Sequence, residues 1–253
     1  MTDELIVLKL GGGLITHKSD ECSPNLEVIA ALSKVVNSLI GEGSEVILVH
    51  GAGSFGHIKA KKFRLAEGDV GLSGQKEAVA EVRQDMLDLN QLVIKDLDGA
   101  VHPPHLWATE TGPQFRGELP RNHPLTIVFG DVVDCTHESW GILSGDDLVL
   151  RYAIECGASR VVFAIHGVDG LLTAPPGEGG ELIEQIHGHA NYRGLHSEGI
   201  DVTGGISLKV RRAEKIAASG IEVYFVNGEK MDSVYNACRG KPVTGTKFFG
   251  RNA

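Results

Sequence analysis

No C-x-x-C, H-E-x-x-H or G-x-x-x-x-G-K-[ST] pattern occurs in this chain. The four cysteines, at 22, 135, 156 and 238, are widely spaced, so neither a zinc site nor a dithiol redox centre is signalled, and the spacing suits a reducing compartment. Eleven histidines show no paired metal-ligand spacing, and no protein-bound metal is expected. The missing Walker pattern excludes a P-loop NTPase. Positive charge is also short: 24 Lys and Arg against 33 Asp and Glu give a net charge of −9. That balance argues against a general binder of nucleic acid or acidic membranes, while leaving room for a local basic pocket. No apolar run approaches the roughly 20 residues of a membrane span. Met-Thr-Asp-Glu leads straight into an apolar stretch without a signal-peptide pattern, so a cytoplasmic protein is expected.

What is present is an ordinary globular composition, 42 % hydrophobic and 23 % charged over 253 residues, enough for one large domain or two merged lobes. The most informative stretch is Val49 to His57, VHGAGSFGH. The apolar run Val46-Ile47-Leu48-Val49 feeds a loop with glycines at 51, 53 and 56. Such glycines let backbone N–H groups converge on one point without Cβ interference, as a phosphate cradle requires. The same six residues, 51–56, also match the G-x-G-x-x-G dinucleotide fingerprint.

Taken in order, Leu5 to Leu10 reads as a strand buried on both faces, with Lys9 just before Gly11-Gly12-Gly13. A lysine there is a solvated strand end or a cation over a phosphate, and the glycines favour the second. Lys18, on its own, reads as a surface lysine. Ser23-Pro24 predicts an N-cap and first helical position, with Leu26, Ile29, Val36, Leu39 and Ile40 sustaining the helix to Gly41. A strand at 45–49 precedes the glycine loop, so the loop sits at the carboxyl end of a strand, where open α/β sheets bind ligands.

Residues 59–62 (KAKK) are basic and lead into a polar stretch. The spacing predicts a long helix over 75–98, with Val79, Val82, Met86, Leu89, Val93 and Leu97 on one stripe. Most of that stripe reads as core, although Val82, Met86 or Leu89 could wall an apolar substrate pocket. Residues 99–124 resist reading, and His102, His105 and His123 are expected as surface or loop histidines rather than ligands. A strand at 125–129 and a hairpin tipped at 137–139 follow. Ser144-Gly145-Asp146-Asp147 then opens a helix to about Cys156. Two acids at a helix start complement its macrodipole, or one of them orients lysines or phosphate-bound Mg²⁺; the residues alone leave both readings open. A strand at 161–165, Gly167-Val168-Asp169-Gly170, a short strand or turn at 181–186, and Thr203-Gly204-Gly205 before a helix at 206–219 come next. The last glycines make a second anion site, with Lys209 one turn in. A strand at 221–226, a helix near 230–239 and a strand near 244–249 complete the pattern.

A dinucleotide site needs an acid at the end of the next strand, roughly 20 residues on. Here Glu67 and Asp69 have no strand before them, so that reading fails. Four glycine loops, each near a lysine or acid (9–13, 51–57, 144–147 and 203–209), suit a phosphoryl-transfer enzyme. The segments KLGGGLITHK, HGAGSFGH, SGDD, VDG, DVTGGI-x-x-K and a terminal GTK, in this order, resemble the amino acid kinase family across nearly the whole chain. Within it, the terminal histidine of GSFGH is most similar to the members that phosphorylate isopentenyl phosphate. A fosfomycin-phosphorylating relative shares a histidine-bearing variant of this loop.

The resemblance implies an α/β fold, an open αβα sandwich with a mainly parallel sheet. An N-terminal lobe, about 1–158, would bind the acceptor, and a C-terminal lobe, about 159–253, ATP with Mg²⁺. It implies a homodimer and transfer from ATP to isopentenyl phosphate. Lys9 and Lys209 would bridge the donor and transferring phosphates, Lys18 would stabilise the transferring group, and Asp146 would hold the lysines. His57 would bond the acceptor phosphate, with Ala52, Gly56 and Gly145 beside it and Val82 and Met86 along the tail. Gly11, Gly12, Gly13, Gly53, Asp169, Gly204 and Gly205 would contact ATP. The alternatives are a kinase of another small phosphate or phosphonate, and a non-catalytic binding member, whose marker would be loss of the lysines or Asp146. Three departures stand out: Ala52 for a usual glycine, acceptable at negative φ; Gly13 for serine; and His166-Gly167 for Thr-Asp.

Overall fold

The computed structural model describes residues 4–17, 20–175, 178–188 and 205–250. Strand β1 (Leu5–Leu10) turns through Gly11 into one helical turn, α1 (Gly12–Ile15). Helix α2 (Leu26–Gly41) is capped by Asn25, whose side chain accepts from the Val28 N–H, and not by Ser23. Pro24 instead bridges to Thr16, which shifts the helix start past the expected position. Strand β2 (Glu45–His50) leads through a 3₁₀ turn at Gly53–Phe55 into α3 (His57–Lys62). The basic run, to which the residues alone assigned no element, is therefore helical. Helix α4 (Gln75–Val93) stops five residues before the expected 98, and Leu97 lies in the turn that follows.

The unreadable segment holds only the two-residue strand β3 (Ala100–Val101) and a 3₁₀ turn at Pro104–Leu106. Strand β4 (Leu125–Phe129) follows, then the hairpin of β5 (Asp131–Cys135) and β6 (Ser139–Leu143). Helix α5 (Gly145–Glu155) is capped by Ser144, whose Oγ accepts from the Asp146 N–H. Next come β7 (Arg160–Ile165), β8 (Gln185–His187), α6 (Gly205–Ala218), β9 (Glu222–Asn227), α7 (Met231–Cys238) and β10 (Thr246–Phe249).

Among the described residues, eight strands form one sheet in the order β3-β4-β2-β1-β7-β9-β10-β8. The first six are mutually parallel; β10 runs antiparallel to β9 and carries β8 parallel to itself. Helices cover both faces. Ile6, Leu8 and Leu10 pack into a core with α2, α4 and α7, while Leu5 and Val7 pack into a second core with α5 and α6. Side chains alternate along a strand, so Lys9 belongs to the α5/α6 face. The chain order reverses at β1, with β2 on one side and β7 on the other, which opens a crevice at the carboxyl edge of these strands. Among the described residues, no helix is long and apolar enough to cross a membrane.

Candidate active site

The two glycine loops leave β1 and β2 side by side and touch backbone to backbone. A Cβ on Gly12 would lie 2.3 Å from the Gly53 nitrogen, and one on Gly51 would lie 2.5 Å from the Gly12 nitrogen. Gly53 has φ +51°, a conformation that side chains rarely adopt. Ala52 has φ −79° and ψ −36°, so its methyl is accommodated, as the sequence reading required. Thr16 staples the loops: its Oγ1 donates to the Gly12 carbonyl at 2.8 Å and accepts from the Ser54 N–H at 3.0 Å.

Lys9 and Asp146 are almost fully buried, 3 % and 2 % exposed. Asp146 stands at the start of α5 between two cations, with Lys9 Nζ 3.8 Å from Oδ1 and Lys209 Nζ, from one turn into α6, 3.1 Å from Oδ2. Two ammonium groups on one carboxylate leave a net positive site in low dielectric, suited to phosphate oxygens. Asp147 turns away from this group and accepts from Arg212 Nε at 2.6 Å. Burial raises the Asp147 carboxyl above its ordinary range, with Arg212 pulling against it. The choice between the two acids thus resolves: each has its own buried cation, and Asp146 takes the lysines.

His57 opens α3 and lines the same cavity, of about 600 Å³, as Lys9, Asp146 and Lys209. Helix α3 is fixed to α4 by Lys59, whose Nζ meets Asp85 at 2.7 Å and Glu81 at 3.0 Å. Burial alone would lower the Lys59 ammonium, but those carboxylates hold it above its ordinary range. The KAKK run is thus partly neutralised within the fold. Val82 and Met86 of α4 are buried, as the core reading expects, and also line the cavity. A Cβ on Gly56 would come within 3.5 Å of Met86 Sδ, which places this apolar wall directly behind the loop.

Ala52, Gly56 and Gly145 line the cavity, as do Gly11, Gly12, Gly13 and Gly53. Gly205 starts α6, one turn before Lys209. Asp169 lies between two cavity-lining residues, Val168 and Gly170, but its carboxylate is engaged by Lys230 at 2.7 Å and Asn227 at 3.2 Å. The Lys230 ammonium holds it below the usual carboxylate range. His166, from the departure at 166–167, pairs with Glu229 at 2.7 Å. Lys18 and Gly204 lie outside the described residues.

Four side chains of the site escaped the sequence reading. Thr16 lies inside the KLGGGLITHK segment without an assigned role, and Arg212 lies in no motif. His50 is fully buried, its Nδ1 3.2 Å from the Gly51 carbonyl and its Nε2 3.2 Å from Asn90 Oδ1, with its ring stacked on Phe129. Asp131 lines the cavity with its carboxylate taken by the His105 backbone N–H and by His105 Nδ1 at 2.7 Å. His105, expected as a surface or loop histidine, sits in the 3₁₀ turn at 104–106 and is the partner of a buried acid. The one available sequence signal was Gly130-Asp131 closing an apolar strand.

Comparison with known proteins gives one picture. The model of the amino acid kinase family matches residues 4–227. The isopentenyl phosphate kinase of Methanocaldococcus jannaschii is 28 % identical, over 96 % of this chain and 98 % of that protein. That of Haloferax volcanii is 31 % identical, over 85 % and 89 %. The product complex of Thermoplasma acidophilum isopentenyl phosphate kinase superposes with a TM-score of 0.77, at 25 % identity and over 96 % of this chain and 99 % of that one. With these matches, a parallel sheet crossed at β1 and two glycine loops meeting over Lys9, the chain belongs to the amino acid kinase family.

Proposed function

We propose that this chain transfers the γ-phosphoryl group of ATP to isopentenyl phosphate, giving isopentenyl diphosphate and ADP. One observation carries the reading: a single cavity combines Lys9 and Lys209 on Asp146 with His57 and an apolar wall of Val82, Met86 and Ile142. The near-full-length similarity to isopentenyl phosphate kinases supports it. A prenyl tail fits the apolar wall, whereas a small polar phosphonate of the fosfomycin type would leave it uncovered.

An oxygen of the acceptor phosphate attacks the γ-phosphorus while the bond to the bridging β-oxygen breaks, so the work is alignment and charge neutralisation. Lys9 and Lys209 bridge the donor and transferring phosphates, and Asp146 fixes both ammonium groups. Lys18 is proposed to stabilise the transferring group. His57 hydrogen-bonds the acceptor phosphate beside the backbone of Ala52 to Gly56, with Gly145 alongside, and no general base is needed when that phosphate arrives ionised. Gly11 to Gly13, Gly53, Asp169, Gly204 and Gly205 are assigned to the nucleotide. Of the carboxylates at the cavity, Asp131 is taken by His105 and Asp146 Oδ2 by Lys209, while Asp146 Oδ1 is buried without a hydrogen bond, 3.8 Å from Lys9 Nζ; Mg²⁺ would be carried on the nucleotide's own phosphates, with Asp146 Oδ1 the protein oxygen left for it. Bound there, the ion would neutralise phosphate charge.

In this reading, the lobe up to about 158 holds the acceptor and lends Lys9, Gly11 to Gly13 and Gly53 to the nucleotide's phosphates, and the lobe after it holds the rest of the nucleotide. The enzyme works as a cytoplasmic homodimer in isoprenoid synthesis. A coupled ADP-release assay with isopentenyl phosphate beside fosfomycin, acetylglutamate, UMP and carbamate tests the assignment. Turnover of another acceptor with none of isopentenyl phosphate refutes it.

A further inference from the structure

Helices α5 and α6 are joined by two ion pairs in succession. Asp146 meets Lys209 at 3.1 Å, and Asp147 meets Arg212 at 2.6 Å. The cations are three residues apart on α6, hence on one face about one turn apart. The second pair is the more buried of the two: Asp147 is 3 % and Arg212 8 % exposed, whereas the Lys209 side chain is 19 % exposed. An acid serving only the macrodipole of α5 would need no such partner. A buried ion pair is also a poor way to gain stability, since apolar packing of equal volume does as well or better. Its value here is geometric.

We propose that Asp147 and Arg212 are positioning residues for phosphoryl transfer: their buried pair clamps α6 against α5 and thereby delivers the Lys209 ammonium to Asp146 and to the transferring phosphate. Lys209 is a point charge on a flexible four-carbon stem, so where its ammonium falls depends on where the helix places its Cα. Arg212 offers a planar fork of fixed geometry, and its Nε–H donates to Asp147 Oδ1, which suits it as the fixed point from which Lys209 is measured. The pair acts only through Lys209. The inference rests on reading this cavity as a phosphoryl-transfer site, and not on which acceptor it takes.

The test is a double-mutant cycle: Arg212→Met in the wild-type and in the Lys209→Met background, each read in kcat and in the Kd of a non-hydrolysable ATP analogue. In the wild-type background, Arg212→Met is expected to lower kcat by about 10- to 100-fold, the scale of a misplacement near 1 Å, with acceptor KM nearly unchanged. The analogue's Kd should weaken severalfold. In the Lys209→Met background both effects should shrink to less than about 2-fold, because interacting residues are non-additive. Arg212→Lys, which keeps the charge without the fork, should fall between Met and wild type. Equal losses in the two backgrounds would mean a merely structural role and overturn the proposal, as would a folded Arg212→Met with unchanged kcat and Kd. If Arg212→Met does not fold, the cycle is run with Asp147→Leu plus Arg212→Leu, which removes both charges together. If isopentenyl phosphate proves not to be the acceptor, that reading fails alone, and the analogue Kd still decides this one.

Discussion

Gly145 leaves its side-chain position to Lys9: a Cβ on residue 145 would lie 1.8 Å from Nζ of Lys9 and 3.3 Å from its Cε. The obstructed atoms are the far end of a flexible side chain, so Gly145→Ala should fold and push the ammonium off its place beside Asp146. The expected result is a fall in kcat of about 100-fold, as for other displacements near 1 Å, with a melting temperature close to that of the wild type. Steady-state kinetics beside a thermal melt check it; an active Gly145→Ala would mean that Lys9 can act from another position.

His57→Ala should separate the two substrates. One charge-assisted hydrogen bond to a phosphate is worth about 1.5–3 kcal/mol, so kcat/KM for the acceptor should drop by between one and two powers of ten. The KM for ATP should stay where it is. An unchanged acceptor KM and kcat would remove His57 from the site.

The parts of this fold that could be read from the chain are those that repeat locally. Leu5–Leu10, Glu45–His50 and Arg160–Ile165 read as strands because helices cover both faces of the sheet and few polar positions interrupt the runs. Element ends were less legible. Ser23-Pro24 has the composition of a helix start, yet its bridge to Thr16 hands the cap to Asn25. The stripe of α4 runs on to Leu97 in sequence, and no glycine or proline marks the stop after Val93.

Within the site, Lys9, His57, Asp146 and Lys209 stood out because glycines or acids flank them. Arg212 did not, because its meaning lies in Asp147, 65 positions away. His50 falls just past the strand expected at 45–49, at the head of the HGAGSFGH segment, and nothing local announces that Asn90 awaits it across the core.

The apolar wall predicts selectivity by tail length. Met86 is fully buried behind the glycine loop and Val82 lies one turn away on α4, so a larger ring at either position takes volume from the cavity beside His57. Val82→Phe or Met86→Phe should raise the KM of isopentenyl phosphate at least severalfold while leaving a small acceptor, such as methyl phosphate, little affected; each extra methylene excluded from an apolar site is worth about 0.8 kcal/mol. If every acceptor responds alike, these side chains do not line the tail pocket.

Ala52 gives a prediction in the opposite direction from its rarity. At φ −79° an alanine is unstrained, so Ala52→Gly gains nothing in the folded state and frees the unfolded chain. The variant should lose about 0.5–1 kcal/mol in urea unfolding, with acceptor kinetics preserved. A gain in stability would show that the methyl is strained against Gly56, whose own Cβ would lie 2.7 Å from that of Ala52.

His50 should make stability depend on mild acid. Burial drives its imidazole from 6.5 down to about 4, while the bonds to Gly51 and Asn90 oppose the shift only in part. Above pH 6.5 the ring is neutral in both folded and unfolded chains and adds no pH dependence. Between 6.5 and 4 the unfolded chain takes up a proton that the folded one refuses, so stability falls as pH falls, and below 4 both are protonated and the slope ends. Over this window the loss is about 1.4 kcal/mol per pH unit. From pH 7 to pH 5 the wild type should therefore lose about 2 kcal/mol more than His50→Gln, which keeps a hydrogen-bonding amide but cannot titrate. Urea unfolding of both proteins at the two pH values measures the difference. Equal losses would mean that His50 carries its proton inside the fold, and that the contact to the Gly51 carbonyl is made by an imidazolium.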